Sequence, residues 1–280
     1  MTDDSSNNHQ PAAHYDRVHS AWRLIMGEEF HYGYFESADT PLEHATAALT
    51  QQMLQRADMV AGDRVLDVGC GTGRQACDLA AKLEVSVLGI TTSGSGVAAA
   101  TELAAQRQVG GARFEQRDGT DTGLARDLFD VAWVLESSHL MRNRSALLSE
   151  CVRVLVPGGR LALCDIIRKR DIPFLEVRSR RDEFSTLRAA FGDAHMEPLD
   201  SYVSTLEQLG MTMTDCSDIS APTMPTFAAW RSNVEAHERA LQDLLGSQGV
   251  DDFVQATHIL ESFWRDETLG YGILAAVKRS

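Results

Sequence analysis

Val65–Gly73 reads VLDVGCGTG, three glycines at alternate positions directly after a short apolar run. Glycine permits a tight turn and lets the backbone approach a ligand closely. Helical spacing resumes at Arg74, so the turn joins a buried strand to a helix start. The unpaired N–H groups and positive dipole end of such a helix favour an anion. Around this unit the pattern repeats. Apolar runs at Arg64–Val68, Val85–Ile90, Ala112–Gln116, Phe129–Leu135 and Arg160–Ile166 alternate with helical stretches over 74–83, 95–108 and 144–154, with a turn at Val156–Gly159. Strands alternating with helices in this way predict an α/β fold with a doubly wound, mostly parallel sheet. Two later strand-like runs, 211–219 and Leu269–Val277, bring the number of strands to seven.

The flanks read as helix. Tyr15, Val18, Trp22 and Ile25 recur at helical spacing, an aromatic turn spans Gly27–Phe35, and a helix over 41–58 leads into the core. Helices over 173–191, 199–209, 226–246 and 250–266 surround the last two strands. They predict a lid over the carboxyl edge of the sheet, where open α/β sheets bind ligands. The chain therefore divides into a polar, disordered tail (1–13), an N-terminal helical cap (14–60), a ligand-binding core (61–168) and a helical lid carrying the last two strands (169–280).

Charge narrows the partners. With 26 basic and 40 acidic residues the net charge is −14, which argues against a nucleic-acid footprint or docking on an anionic membrane. No stretch approaches the 18 apolar residues of a transmembrane helix. The five cysteines form no CxxC pair, so no metal knuckle is expected, and the odd count without a signal peptide fits reduced thiols in a cytoplasm. A small molecule is the expected partner, and a homo-oligomer is left open.

The glycine spacing separates two classes of ligand. A dinucleotide loop reads GxGxxG; here the sixth position is Arg74, giving GxGxG. The expected anion is then the carboxylate of a methionine group, as in S-adenosylmethionine, with Asp67 at the strand end facing the ligand ammonium. A purely structural turn or a nicotinamide site is the competing reading.

These residues together resemble the class I S-adenosylmethionine-dependent methyltransferases, whose fold is a Rossmann-like seven-stranded sheet. Within that class the chain is similar to the small-molecule group containing tocopherol and sterol methyltransferases and bacterial natural-product enzymes such as the rebeccamycin sugar O-methyltransferase. Gly27–Phe35 resembles that group's GxxxHxGYF cap, and Tyr15-Asp16 its opening pair. LLSECVRVLVPGGRLALCDI, residues 147–166, resembles its helix, PGG turn and fifth strand. The resemblance implies that Asp67, Gly69, Gly71 and Gly73 hold the methionine end of the cofactor, and that Asp118 accepts the adenine amino group with Gly119 and Thr120 beside the ring. It further implies that Ile90 packs on the adenine or ribose with Thr91 beside it, that Glu136 closes the floor near the sulfonium, and that Tyr15 and Tyr32 reach in from the cap. The implied product is S-adenosylhomocysteine, and no metal is expected. Two positions depart from the group. No acid follows the second strand, where the chain reads Gly89-Ile-Thr-Thr-Ser93, and Leu140 interrupts its ESxHHMPD segment, which here reads Glu136-Ser-Ser-His-Leu-Met-Arg-Asn143.

Transfer to an alcohol or phenol needs a base to remove the hydroxyl proton. His139 follows the fourth strand and Asp165 ends the fifth, so adjacent loops could bring them within hydrogen-bond reach. Asp165 would orient the imidazole and support its charged form. His139 is thus the expected general base and Asp165 its orienter; the plainer reading is a rim histidine and a turn-capping aspartate. An amine acceptor needs less help from a base. A carbon acceptor would draw on Glu136, Trp133, Phe30 and Tyr34. A cyclase or an aminocarboxypropyl transferase of the same fold is the reading from another class. Arg178, Arg180 and Arg181 read as a solvated helix face, and His9, His14 and His19, spaced by five, as non-ligands.

Overall fold

The computed structural model describes residues 20–37 and 39–279. Tyr15, Asp16, the tail and the three early histidines lie outside the described residues. The element order is α1 (residues 20–26), α2 (Leu42–Ala57), β1 (Arg64–Val68), α3 (Arg74–Leu83), β2 (Ser86–Thr91), α4 (Gly94–Gln106), β3 (Ala112–Gln116) and β4 (Phe129–Leu135). A 3-10 turn at Ser138–Leu140 leads to α5 (Arg144–Val154), β5 (Leu155–Arg168), α6 (Phe174–Ser179), α7 (Arg181–Phe191) and α8 (Leu199–Gln208). β6 (Met211–Asp218), α9 (Ser220–Thr223), α10 (Pro225–Ala236), α11 (Glu238–Arg265) and β7 (Leu269–Lys278) complete the chain.

The seven strands form one sheet in the order β3-β2-β1-β4-β5-β7-β6. β1 to β5 pair in parallel, and β7 runs antiparallel between β5 and β6. Because strand order reverses between β1 and β4, the crevice for a ligand opens above their carboxyl ends. Alternate strand residues feed opposite faces. Val65, Val131 and Ala162 pack toward α2, α3, α10 and α11, while Leu66, Ala132 and Leu161 pack toward α5 and α8. Both faces are covered, which is why β1 and β4 read as nearly continuous apolar runs. Local capping sets two helix starts above the crevice: Ser93 Oγ accepts the Gly96 N–H at 3.0 Å, and Asn143 Oδ1 accepts the Ala146 N–H at 3.0 Å.

The cap is tied to the lid, not to the sheet alone. The Phe35 N–H donates to the Pro222 carbonyl at 2.8 Å, and Asn233 Nδ2 donates to the Ile25 carbonyl at 2.8 Å. Tyr32 stacks on Trp264 with ring centroids 5.6 Å apart and meets Trp230 edge-on at 5.0 Å. Aromatic pairs of this kind contribute about 0.5–1.5 kcal/mol each beyond area burial.

Four sequence expectations change. The turn expected at Val156–Gly159 lies inside β5, which carries Gly158 at φ 78° and a register irregularity against β4. The single helix expected over 173–191 breaks at Arg180 (φ −98°, ψ 17°). Arg180 is no solvated group: it lies 3.7 Å from the Phe263 ring centroid and bonds Asp266 at 2.7 Å, so the break is filled by a cation over an aromatic face. The helix expected over 226–246 divides at His237, while the break expected after residue 246 is present as non-helical backbone at Gly246 (φ 75°, ψ 160°) inside α11. The one-turn α9 was not expected. Among the described residues no helix is long and apolar enough to cross a membrane, and no cluster of His, Cys, Asp and Glu suits a metal ion.

Candidate active site

A cavity of about 660 Å³ opens at the switch point. β1 brings Asp67 to it, and the glycine loop forms its wall. Gly71 (φ 54°) faces open space where a side chain would stand, so the backbone itself borders the cavity. Gly69 and Gly73 serve packing. A Cβ on Gly69 would come 2.2 Å from that of Ser137, and one on Gly73 would come 2.6 Å from that of Ala100. The amides of Gly69 and Cys70 both donate to the Ile90 carbonyl, at 2.8 and 3.0 Å, which pins the loop to β2. Gly69 therefore shapes the loop while its own N–H is already committed, and Gly73 is not among the cavity's lining residues.

Asp67 is the strongest sign of a cationic ligand. It is 3% exposed, and its Oδ2 has no hydrogen-bond partner. Burial pushes its carboxyl up to about 7. An unpaired buried carboxylate is costly, and a ligand ammonium would relieve that cost. Asp118 sits on the opposite wall with Gly119 and Thr120. Its Oδ1 accepts the Thr120 N–H at 2.8 Å and hydroxyl at 2.7 Å, which orients the carboxylate. Ile90 and Thr91 also line the cavity, and no acid follows β2. An orphaned acid, an oriented acid and an open backbone at Gly71 fit the ammonium, adenine amino group and methionine end of S-adenosylmethionine.

A second cavity of about 500 Å³ lies under the cap and lid. Trp22, Met26, Tyr32, Phe184, Phe191 and Trp230 give it an aromatic and apolar wall. Phe30 and Glu136 line both cavities and mark where they meet. Tyr32 belongs to this second cavity, away from the glycine loop. Glu136 takes a left-handed conformation (φ 47°) just past β4. It accepts the Tyr32 N–H at 2.7 Å and the Tyr271 hydroxyl, and burial raises its carboxyl above the ordinary range. Of the group expected to serve a carbon acceptor, Trp133 is buried in the core and Tyr34 lines neither cavity.

His139 lines the second cavity and is held by Asp165, which is 0% exposed. Their contact is 2.6 Å from Nδ1 to Oδ1. Asp165 also accepts the His139 N–H at 2.9 Å, the Ile166 N–H at 2.7 Å and the Ser138 hydroxyl. Burial opposes ionisation of Asp165, yet the imidazole and these hydrogen bonds outweigh it and hold the carboxyl below its ordinary range. Burial likewise opposes protonation of His139, but the Asp165 charge wins and raises the imidazole above its ordinary value.

The sequence reading missed an acid–histidine group beside the glycine loop. Glu29 and His31 line the first cavity together with Gln75. His31 Nδ1 donates to the Tyr32 carbonyl at 2.8 Å, and Nε2 lies 3.0 Å from Glu29. Burial lowers the tendency of His31 to protonate, but Glu29 and Glu136 raise it more. The histidine stood in plain view within the cap segment. Its inward direction had no signal, since a turn carries no periodicity.

Comparison with known proteins agrees with this geometry. Residues 2–267 match the mycolic acid cyclopropane synthetase family. The chain is 32% identical over 266 residues to 27-O-demethylrifamycin SV methyltransferase of Amycolatopsis mediterranei, covering 94% of this chain and 95% of that one. It is 32% identical to methyltransferase GfsG of Streptomyces halstedii, covering 85% and 84%. The crystal structure of the cyclase SpnF superposes with a TM-score of 0.78 at 26% identity, covering 95% of this chain and 93% of that one. The chain belongs to the mycolic acid cyclopropane synthetase family and is a class I S-adenosylmethionine-dependent methyltransferase.

Proposed function

We propose that the enzyme methylates a hydroxyl group of a small microbial secondary metabolite, with His139 as general base. The supporting observation is the His139–Asp165 contact of 2.6 Å at the wall of an apolar cavity that meets the cofactor cavity at Glu136. When bound, S-adenosylmethionine supplies a methyl group activated by its sulfonium. Asp67 would hold the ammonium of that cofactor, Asp118 its adenine amino group, and the loop at Gly71 its methionine end. His139, with Nδ1 occupied by Asp165, offers Nε2 to the acceptor hydroxyl and takes its proton as the new bond forms. Asp165 then faces an imidazolium, which its ionised and buried carboxylate stabilises. The apolar walls exclude water and strengthen that electrostatic support. The relative named for a rifamycin O-methylation supports an alcohol or phenol acceptor. An amine acceptor needs less help from a base than the His139–Asp165 pair offers. A carbon acceptor finds Glu136 and Phe30 at the junction but neither Trp133 nor Tyr34.

Substituting His139→Gln tests the assignment. Turnover should fall by about 100-fold or more, the ordinary contribution of a general base, with S-adenosylmethionine affinity retained. Turnover equal to the unaltered enzyme would remove His139 from the mechanism. The likeness to a cyclase supports a second reading, cyclisation on the same scaffold. S-adenosylhomocysteine accumulating in step with product supports methyl transfer, while product without it supports cyclisation.

A further inference from the structure

A third cavity, of about 570 Å³, lies between α1, α7 and α11. It does not stand alone. Trp22 and Ala190 line both it and the acceptor cavity beside His139. Phe191 lines only the acceptor side and Phe253 only the far side. The Trp22 ring touches each of them, with centroids 5.9 Å from Phe191 and 5.4 Å from Phe253. The half-buried Trp22 indole, with Ala190 and the Phe191–Phe253 contact at 5.9 Å, forms the partition. Indole side chains turn about two bonds and expose apolar surface on either face. The far cavity has an apolar base of Ala21, Ile25 and Phe253, all nearly fully buried. Its rim carries Asp182 and Asp252, and no lysine or arginine appears among its described lining residues.

We infer that the two cavities form one elongated acceptor site, so that the substrate is a long apolar phenol or alcohol whose far end is neutral or cationic. This rests on the acceptor cavity assigned above. The hydroxyl lies beside His139, the middle of the scaffold passes Trp22, and the far end reaches the Asp182–Asp252 rim. Together the volumes of about 500 and 570 Å³ exceed what a single-ring acceptor fills. An anionic far end would meet Asp252, whose described side-chain partner is the neutral Gln248, and Asp182, whose charge Arg181 offsets at 3.5 Å.

Alkyl esters of 4-hydroxybenzoic acid, from methyl to dodecyl, test this by calorimetry with S-adenosylhomocysteine present. Each buried methylene contributes about 0.8 kcal/mol, so affinity should rise at least tenfold along the series before reaching a plateau. Ala189→Trp places a ring in the far cavity from an exposed position; Thr186→Phe does the same if the first variant folds poorly. Either should abolish most of the rise while leaving the methyl ester's affinity unchanged. Among esters of equal length, an ω-ammonium should bind more tightly than an ω-carboxylate. Affinity independent of length, no binding of the long esters, or an unaltered rise in both variants overturns the elongated site; tighter binding of the ω-carboxylate overturns its charge preference. His139→Gln should preserve the length dependence in binding. Loss of methyl transfer with intact length dependence therefore bears on the base, and a flat series with intact transfer bears on the elongated site alone.

Discussion

The two cavities that meet at Glu136 are built by different means. The first cavity is made of loops at the carboxyl ends of β1, β2, β3 and β4 together with the cap segment Glu28–His31, and the proposed cofactor contacts there are charge and backbone: Asp67, Asp118 and Gly71. The acceptor cavity is made of side chains from helices α1, α7, α10 and α11, and its wall is aromatic. Strand ends are fixed by the sheet ladder, which sets the directions of Asp67 and Asp118 in the first cavity. Helices that touch through interchangeable apolar side chains can be reshaped without disturbing the sheet. One fold can thus keep one cofactor while its acceptor changes. Glu136, just past β4, and His139, in the 3-10 turn after it and held by Asp165 of β5, reach the helical cavity from the sheet.

The sharpest break between the two halves is a crossed pair of substitutions. His139→Gln should lower turnover by about 100- to 10,000-fold with little change in cofactor affinity. Asp67→Asn should do the reverse, weakening S-adenosylmethionine binding by about 30-fold or more, because a buried charge partner is lost. Asp67→Asn also carries a signature in the cofactor-free protein. Its carboxyl, held up to about 7 by burial, binds a proton in the folded state at a pH where the unfolded chain has released it. The free enzyme therefore loses stability as pH rises from about 4 through 7, and Asn should raise its melting temperature at pH 8. A melting curve unchanged or lowered at that pH, or intact cofactor affinity, would show that Asp67 is already satisfied.

The same division explains what the sequence made legible. Strands β1, β2 and β4 and helices α3 and α5 were readable because each strand is largely buried on both faces and each helix starts from a glycine turn or a polar cap. Asp67, His139 and Asp165 stood out by their places at or after strand ends, whereas Asp118 and Glu136 came from the family resemblance. The lid was harder. The break at Arg180 follows from a cation seated on Phe263, a contact between residues more than eighty positions apart that no local pattern carries. The inward turn of His31 depends on the neighbouring Glu29 and on Gln75, forty-four positions away, whose contact no local pattern carries. The opposite face of Tyr32, toward Trp230 and Trp264 and away from the glycine loop, was set by those distant rings.

That aromatic cluster offers the next largest effect. Tyr32→Ala leaves a void among Phe227, Trp230, Trp264 and Tyr271, and aromatic truncations in cores cost about 3–5 kcal/mol. Stability should drop by that order in chemical denaturation, whereas Tyr32→Phe should cost little, because among the described residues no hydrogen bond holds the Tyr32 hydroxyl. Equal losses from both would mean that the hydroxyl, and not the packing, ties the cap down.

A smaller shift separates positioning from proton transfer. His139 must be neutral to accept a proton, and its pKa stands above the ordinary 6.5 because the Asp165 charge outweighs burial. Activity should therefore fall as pH drops through a midpoint above 6.5. Asp165→Asn removes the charge that raises this value, so burial then dominates and the midpoint should move down. A midpoint that stays in place in Asp165→Asn would show that another group controls the acid limb.

The smallest effect concerns how the cap is held over the cofactor cavity. Arg74, the residue that separates this glycine loop from a dinucleotide loop, bonds Glu28 of the cap at 2.8 Å. Glu28 is in turn bonded by Arg23 Nε at 2.6 Å, so a chain of charges crosses the mouth. All three side chains are at least a third exposed, and exposed pairs contribute about 0–1 kcal/mol and are screened by salt. Arg74→Ala should consequently shift the melting temperature by a degree or two at most, less so in 0.5 M salt, on the order expected for such pairs. The comparison with Tyr32→Ala then decides which force seats the cap. If the charged crossing mattered more than the aromatic cluster, Arg74→Ala would rival the loss at Tyr32, and added salt would reproduce it in the unaltered enzyme. The burial of Tyr32 at 3% against the exposure of Glu28 at 47% predicts the opposite ordering.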